Sequence, residues 1–355
     1  MKYTIVLIPS LDPDEKLENY ILQLDELGIK RTNIIVVNDG SRINVDVFDR
    51  LRDDGVTVLI HEKNMGKGRA LKTGFEYILS TYSSEEVAGV VTADADGQHS
   101  AKDTVRVCNE LENTGAFVLG TRNFSEKSVP FRSKWGNTIT TMVFGVLYGK
   151  LVGDTQTGLR GIPFDWLPSC VEMQGERFDY EIVMLIEAAV RNLKIIQLPI
   201  DTIYINSNRA SHFNAFKDSW KIYRILLRRG IMYALSSMIG AIVDLSVFAA
   251  LSKLFFERIS ESAMALLGAT VIARMFSNII NYLVNRDKVF KCKDRYVSSA
   301  VKYALLAIVQ MITSWFFVNI LYDHLLRGAT LIKAIVDTLL FFVSYQVQQK
   351  WVFRE

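Results

Sequence analysis

Only three cysteines occur in 355 residues, and Cys108, Cys170 and Cys292 are too far apart for a metal-ligand pair or a disulfide framework. Such usage fits a reducing compartment. The chain also lacks a dominant charge: 41 Lys and Arg against 38 Asp and Glu leave a formal net charge of +3, so the placement of charge says more than its total. A secretory leader is not expected, because the apolar run Tyr3–Ile8 stops at Pro9 and leads into the polar stretch Asp12–Lys16. Two phosphate-binding signatures are missing as well. The segment around Asn64-Met-Gly-Lys-Gly-Arg-Ala-Leu71 would need glycine at His61 and Ser or Thr at Gly68 to be a P-loop, and no dinucleotide-type G-x-G-x-x-G is present.

Half of the residues are hydrophobic, too many for a purely soluble chain of this length, and they crowd into the last third. From Lys2 to about Ile205 short β-branched runs alternate with segments of helical period, which predicts an α/β domain with a mostly parallel sheet. Strands are expected at Tyr3–Ile8, Asn33–Val37, Thr57–Ile60, Gly89–Thr92, Phe117–Gly120 and Lys194–Pro199. Helices are expected at Asp14–Leu27, Gly66–Ser80 and Ala101–Thr114. Ligands of open α/β sheets gather at the carboxyl ends of strands, which directs attention to the loops after Ile8, Val37 and Thr92.

Residues 214–229 place Lys217, Lys221, Arg224 and Arg228 at helical spacing beside Phe216, Trp220, Tyr223 and Leu227, the pattern of an interfacial amphipathic helix. Four apolar stretches follow, at about Ile231–Phe256, Ser262–Val284, Val297–Tyr322 and Leu331–Val347, each near the length that crosses a bilayer. Basic residues cluster before the first stretch and in Arg286–Arg295, five in each, against one each in Glu257–Glu261 and Asp323–Thr330. By the positive-inside rule both chain ends and the α/β domain face the cytosol. Within the spans, Asp244, Arg274, Lys333 and Asp337 should face protein or water, either orienting their helices or lining a polar path. The segment Asn281-Tyr-Leu-Val-Asn-Arg-Asp-Lys-Val-Phe290 aligns with Ser344-Tyr-Gln-Val-Gln-Gln-Lys-Trp-Val-Phe353, and Tyr233-Ala-Leu235 with Tyr303-Ala-Leu305, which predicts two related helical hairpins.

The chemistry concentrates in three loops. Val90-Val-Thr-Ala-Asp-Ala-Asp-Gly-Gln-His99 ends a strand with Asp94 and Asp96 one residue apart, an oxygen-rich corner suited to a hard divalent cation. An acidic turn alone is weak evidence. Val36-Val-Asn-Asp-Gly-Ser41 adds Asp39, and the glycines of Asn64–Leu71 would let a helix N-terminus approach an anion.

These motifs, with Ile8-Pro-Ser10, Leu119-Gly-Thr-Arg122 and Gly153-Asp-Thr-Gln-Thr-Gly-Leu-Arg160, resemble in order those of family-2 glycosyltransferases of the GT-A fold, in particular polyprenyl-phosphate glycosyltransferases related to dolichyl-phosphate mannose synthase. The resemblance covers roughly the first 225 residues. Residues 231–355 look like a GtrA-type four-helix membrane domain, chiefly through the exits Asn285–Phe290 and Gln348–Phe353. The implied organisation is a GT-A domain over residues 1–213, an interfacial helix over 214–230 and an all-α membrane domain over 231–355. One departure is Asn38, where the family usually has Asp, which leaves base preference open.

Carried over position by position, the resemblance places Pro9, Asp39, Gly66, Lys67, Asp94 and Asp96 around a nucleotide-sugar, with Asp94, Asp96 and Gln98 on Mg²⁺ or Mn²⁺. Asp96, Asp154, Arg122 and Arg160 would serve catalysis; Arg122, Arg209 and His212 would meet the acceptor phosphate. Lys217, Trp220, Lys221, Arg224 and Arg228 would lie at the membrane interface. The implied reaction is inverting transfer of a hexose, from UDP-glucose or UDP-galactose rather than GDP-mannose, to undecaprenyl phosphate at a bacterial inner membrane. The implied partners are donor, lipid and membrane, with no nucleic acid and with tetramers by analogy. A processive synthase should carry Gln-x-x-Arg-Trp, whereas Gln348-Gln-Lys-Trp351 has the wrong spacing. A sugar nucleotidyltransferase would need a glycine-rich loop after Ile8, and a non-catalytic flippase would have no use for the acidic corner.

Overall fold

The runs Ile5–Ile8 and Ile34–Val37 are fully buried, as expected of strands covered on both faces. They form the centre of a seven-stranded sheet in a computed structural model that describes residues 2–124, 131–201, 217–258, 263–292, 294–325 and 329–354. The strands are β1 (Tyr3–Ser10), β2 (Ile34–Asn38), β3 (Thr57–Ile60), β4 (Val87–Thr92), β5 (Phe117–Arg122), β6 (Arg160–Pro163) and β7 (Ile195–Ile200). Their order is β3-β2-β1-β4-β6-β5-β7. Neighbours run parallel except β6, which is antiparallel to both β4 and β5.

All six expected strands are present, with ends within two residues of expectation, and α1 (Glu15–Glu26), α3 (Lys67–Thr81) and α4 (Ala101–Thr114) match the expected helices. The polar side chains of Asp14 and Ser100 cap α1 and α4, and Gly115 ends α4 in the left-handed region. Strand β6 was not anticipated, because Arg-Gly-Ile-Pro has no strand-like pattern. It exists because Gly89 of β4 allows close approach: a Cβ there would stand 2.2 Å from the Ile162 carbonyl oxygen. Also unanticipated were α2 (Asp46–Asp53), α5 (Phe131–Tyr148), α6 (Leu167–Glu172) and α7 (Asp179–Val190).

The chain divides into two compact units, Met1–Leu226 and Leu227–Glu355. Among the described residues four helices are long and apolar enough to cross a membrane. These helices are α8 (Lys217–Arg258), α9 (Ala263–Val284), α10 (Tyr296–Leu325) and α11 (Ala329–Val347). The expected interfacial helix and the expected first span form one helix, since α8 runs unbroken through Gly230. A single helix-interior glycine costs about 1 kcal/mol relative to alanine, too little to stop a helix.

Inside the second unit the sequence repeat becomes a geometric one. Each aligned exit carries a five-residue π-helical turn, Asn285–Val289 and Gln348–Val352, closed by Phe290 N–H on the Asn285 carbonyl and Phe353 N–H on the Gln348 carbonyl. Matched residues meet across the pair: the Asn285 amide donates to Gln348 Oε1 at 3.0 Å, and Phe290 stacks on Phe353 at 5.2 Å. Tyr303 donates to Asn281 Oδ1, as Tyr233 donates to Ser344 Oγ. The charges within the spans pair two by two. Arg274 faces Asp244 at 3.6 Å, and Lys333 bridges to Asp337, which also accepts from Ser314.

Gly89→Ala is expected to destabilise the protein by about 1–3 kcal/mol by overpacking β4 against β6. Thermal unfolding in detergent measures this, with Gly136→Ala, whose Cβ meets nothing within 4 Å, as the neutral control.

Candidate active site

The carboxyl ends of β1, β2 and β4 converge, and loops from each are tied together by short polar contacts. Pro9 lies near the end of β1, half-buried and in register with Val37. Asp12, at φ 48°, accepts from the main-chain N–H of Arg42 and Ile43, while its own N–H donates to Ser41 Oγ. Asn38 is buried and accepts from Ser41 N–H, a turn-closing bond that an aspartate at this position could equally make.

Asp39 is almost fully buried. One oxygen accepts from Met65 N–H at 2.8 Å and lies 2.7 Å from His61 Nδ1; the other accepts from Gly66 N–H at 2.8 Å. Its visible job is to hold the loop that starts α3. The glycines of this loop, expected to admit an anion to the helix end, have a packing role. A Cβ on Gly66 would meet the Glu176 carbonyl oxygen at 2.3 Å, and one on Gly68 would meet Tyr180 Cβ at 2.6 Å. Arg69 N–H donates to the same Glu176 carbonyl. The glycines serve close packing against residues 176–180, and protein oxygens already satisfy the N–H groups of Met65, Gly66 and Arg69.

That packing directs Lys67 into the acidic corner. Its ammonium lies 2.5 Å from Asp94 Oδ1 and 2.7 Å from Glu181 Oε1, the latter on the first turn of α7. His99 is buried, with Nε2 at 3.3 Å from Asp94 Oδ2 and no partner for Nδ1. Burial alone would favour the neutral form of Asp94, but Lys67 and His99 overcome it and hold the carboxyl well below its usual range. For Lys67 burial opposes the charge, and the two carboxylates prevail, raising its pKa. Asp96 behaves oppositely: burial, then the charge of Asp94, push its pKa up, and one donor, Gln98 N–H at 3.0 Å, is its hydrogen-bond partner among the described residues.

Among the described residues no group of three or more His, Cys, Asp or Glu side chains is arranged to hold a metal ion by itself. The corner instead presents two carboxylates, Asp94 and Asp96, with the Gln98 main-chain N–H on Asp96, an oxygen-poor start of the kind that substrate phosphates complete around a hard cation. An under-neutralised Asp96 fits a cation as the missing counter-charge. Gly158 shapes the other wall, since a Cβ there would sit 2.5 Å from an Asp94 oxygen, and its carbonyl accepts from Thr92 Oγ1.

Asp154 is fully buried, and its carboxylate takes both Nε (2.6 Å) and Nη2 (3.1 Å) of Arg122 as well as Gln156 N–H. Arg122, expected to present its fork to the acceptor phosphate, here has Nε and Nη2 on Asp154. Arg160, expected to serve catalysis, is likewise held by protein groups. It is 1 % exposed and donates to the main-chain carbonyls of Thr157, Glu181 and Thr155, with burial lowering its pKa. These bonds tie the loop at 155–157 to the first turn of α7. Arg209 and His212 lie outside the described residues, as does the side chain of Lys217. Trp220, Lys221, Arg224 and Arg228 are exposed along the start of α8.

Helix α5 adds a surface that the sequence reading missed. Asn137, Thr140, Phe144, Leu147 and Tyr148 are buried, with Thr140 and Tyr148 bonded to Tyr223 Oη and the Leu226 carbonyl. Trp135, Ile139, Met142 and Val146 form an exposed apolar stripe at i, i+4, i+7 and i+11, continued by Leu151 at 87 % exposure. Glu181, His61 and Gly158 were also missed. Asp179-Tyr-Glu181 reads as an ordinary acidic first turn, and only folding brings it to Lys67.

Because the folded state disfavours ionised Asp96, Asp96→Asn is expected to stabilise the metal-free protein at pH 7. The gain should persist above the folded pKa and vanish as pH falls through about 4, the unfolded value. Melting in EDTA at pH 7 and pH 4 measures it, at about 2–4 °C for each kcal/mol relieved.

Residues 5–169 match the family described as Glycosyl transferase family 2, and residues 232–353 match GtrA/DPMS, transmembrane domain. The UDP-N-acetylglucosamine--dolichyl-phosphate N-acetylglucosaminyltransferase of Methanococcus voltae is 29 % identical over 246 residues, covering 64 % of this chain and 96 % of that one. An uncharacterised protein of Methanocaldococcus jannaschii is 26 % identical over 229 residues, with 63 % and 91 % covered. Glucosyl-3-phosphoglycerate synthase from Mycobacterium tuberculosis, solved with Mn²⁺, UDP and phosphoglyceric acid, aligns at a TM-score of 0.49 and 18 % identity over 64 % of this chain and 78 % of that one. With a mostly parallel sheet and four apolar helices, this is a membrane protein whose residues 5–169 form a family-2 glycosyltransferase domain and whose residues 232–353 form a GtrA/DPMS transmembrane domain.

Proposed function

We propose that this protein transfers a sugar from a uridine diphosphate donor to a polyprenyl phosphate in the membrane, with inversion, using the Asp94/Asp96 corner to grip the donor diphosphate. The observation that carries the reading is that corner, set at converging strand ends with Lys67 against it and Asp96 left under-neutralised. The Methanococcus relative supports the uridine nucleotide and the lipid phosphate. By analogy with bacterial members of the family we favour glucose or galactose over mannose, with N-acetylglucosamine the choice that the relative's name favours.

Asp96, Asp94 and Gln98 would hold a divalent cation, which when bound neutralises charge building on the departing diphosphate. Lys67 supplies a second cationic group on the same side. A lipid phosphate oxygen attacks the anomeric carbon as the nucleotide diphosphate leaves from the opposite face. This nucleophile is already anionic near pH 7, so positioning and electrostatics carry the rate more than proton transfer does. Asp154, locked by Arg122, orders the loop that leads through Gly158 to Asp94. Pro9 and Asp39 shape the nucleoside side, and Arg209 and His212 are assigned to the acceptor phosphate. We place the glycosyltransferase domain over residues 1–213 and the membrane domain over 231–355, with both chain ends cytosolic.

The exposed stripe of α5 and Trp220 suit insertion among lipid headgroups, where the acceptor phosphate lies. In membranes given labelled UDP-sugars with either undecaprenyl or dolichyl phosphate, Asp96→Asn is expected to lower lipid-linked product by about 10²-fold or more. Undiminished transfer would overturn the assignment. Met142→Glu with Leu151→Glu should cut transfer to lipid while leaving UDP binding within about twofold, since surface charges far from a site act weakly on it. Equal losses of both would count against a lipid-facing stripe.

A further inference from the structure

Glu181 is an acidic residue that the metal and substrate assignments do not use, yet its carboxylate is nearly buried and in contact with Lys67 at 2.7 Å. Its main-chain carbonyl accepts from Arg160, so the start of α7 is anchored independently of the side chain. Lys67 therefore has two carboxylate neighbours, of which only Asp94, at 2.5 Å, belongs to the acidic corner. A lysine paired with Asp94 alone would compete with a cation for that oxygen. Divided between two carboxylates, it can swing its hydrogen bonding toward Glu181 while Asp94 turns to a metal. Asp94, Asp96 and Glu181 against one ammonium also leave two negative charges, matching a divalent ion.

We infer that Glu181 is a positioning residue that withdraws Lys67 from Asp94 when the metal–diphosphate arrives, thereby setting the affinity of the site for its cation. The inference rests on the proposed metal-assisted use of the corner. It predicts that the effect of Glu181 on metal affinity passes through Lys67, whereas a remote charge effect or a purely structural role would not.

The test is Mn²⁺ binding to the full-length protein in detergent with UDP present, followed by the electron paramagnetic resonance signal of free Mn²⁺ without turnover. Four forms are compared: wild type, Glu181→Gln, Lys67→Met and the double variant. Glu181→Gln is expected to raise the half-saturating Mn²⁺ concentration about tenfold, and by less than about twofold when Lys67 is already methionine. Equal rises in both backgrounds, or none in either, would overturn the role of Glu181 while leaving the metal reading intact. No Mn²⁺ binding by the wild type would overturn the metal reading and the inference with it. If the glutamine variant unfolds, Glu181→Asp, which keeps the charge but retracts it by one methylene, takes its place with the same expected dependence on Lys67.

Discussion

An ammonium with one carboxylate at 2.5 Å and another at 2.7 Å joins three segments that are distant in sequence: the start of α3, the end of β4 and the first turn of α7. Burying those charges is costly, and their mutual attraction offsets the cost only while the geometry holds. Much of the first unit serves that geometry. Asp39 fixes the loop before Lys67, glycines 66 and 68 let it press against residues 176–180, and Arg160 fastens α7 by its main chain. The corner depends on the sheet, and the sheet on the close approach at Gly89 that admits β6.

The same electrostatics separate the two aspartates. Asp94 has the Lys67 ammonium against it and the His99 ring nearby, whereas Asp96 has the charge of Asp94 beside it and one main-chain donor. A site assembled for stability alone would not leave a carboxylate in that state, because an unpaired, partly buried charge disfavours folding. Such tension between folding and readiness to bind is a usual mark of a functional centre.

The membrane unit solves a different problem. In hydrocarbon every polar main-chain group must be satisfied internally, and a π-turn leaves an altered bonding pattern that needs support. Here each π-turn is braced by the other: Asn285 bonds Gln348, Phe290 stacks on Phe353, and the two tyrosines that open the hairpins bond to the opposite exits. A duplicated segment can brace itself in this way because equivalent residues of the two copies contact each other. Asparagine and glutamine, differing by one methylene, fill matching places in it.

The sequence determined the strands of the parallel sheet, the four spans, the repeat and the acidic corner, because each is written in local period or in adjacent residues. Covered strands must be β-branched runs, spanning helices must be long and apolar, and an Asp-x-Asp turn places its carboxylates close together. Only the tertiary structure decided which side chains are committed elsewhere. Arg122 and Arg160 have the residue type for phosphate, yet one is locked on Asp154 and the other on three carbonyls. Glu181, β6 and the outward face of α5 had no local signature, since each takes its meaning from a partner far along the chain or from exposure that only the fold sets. Hydrogen-bonding capacity can be read from a residue's name, but its use depends on the geometry of the folded chain.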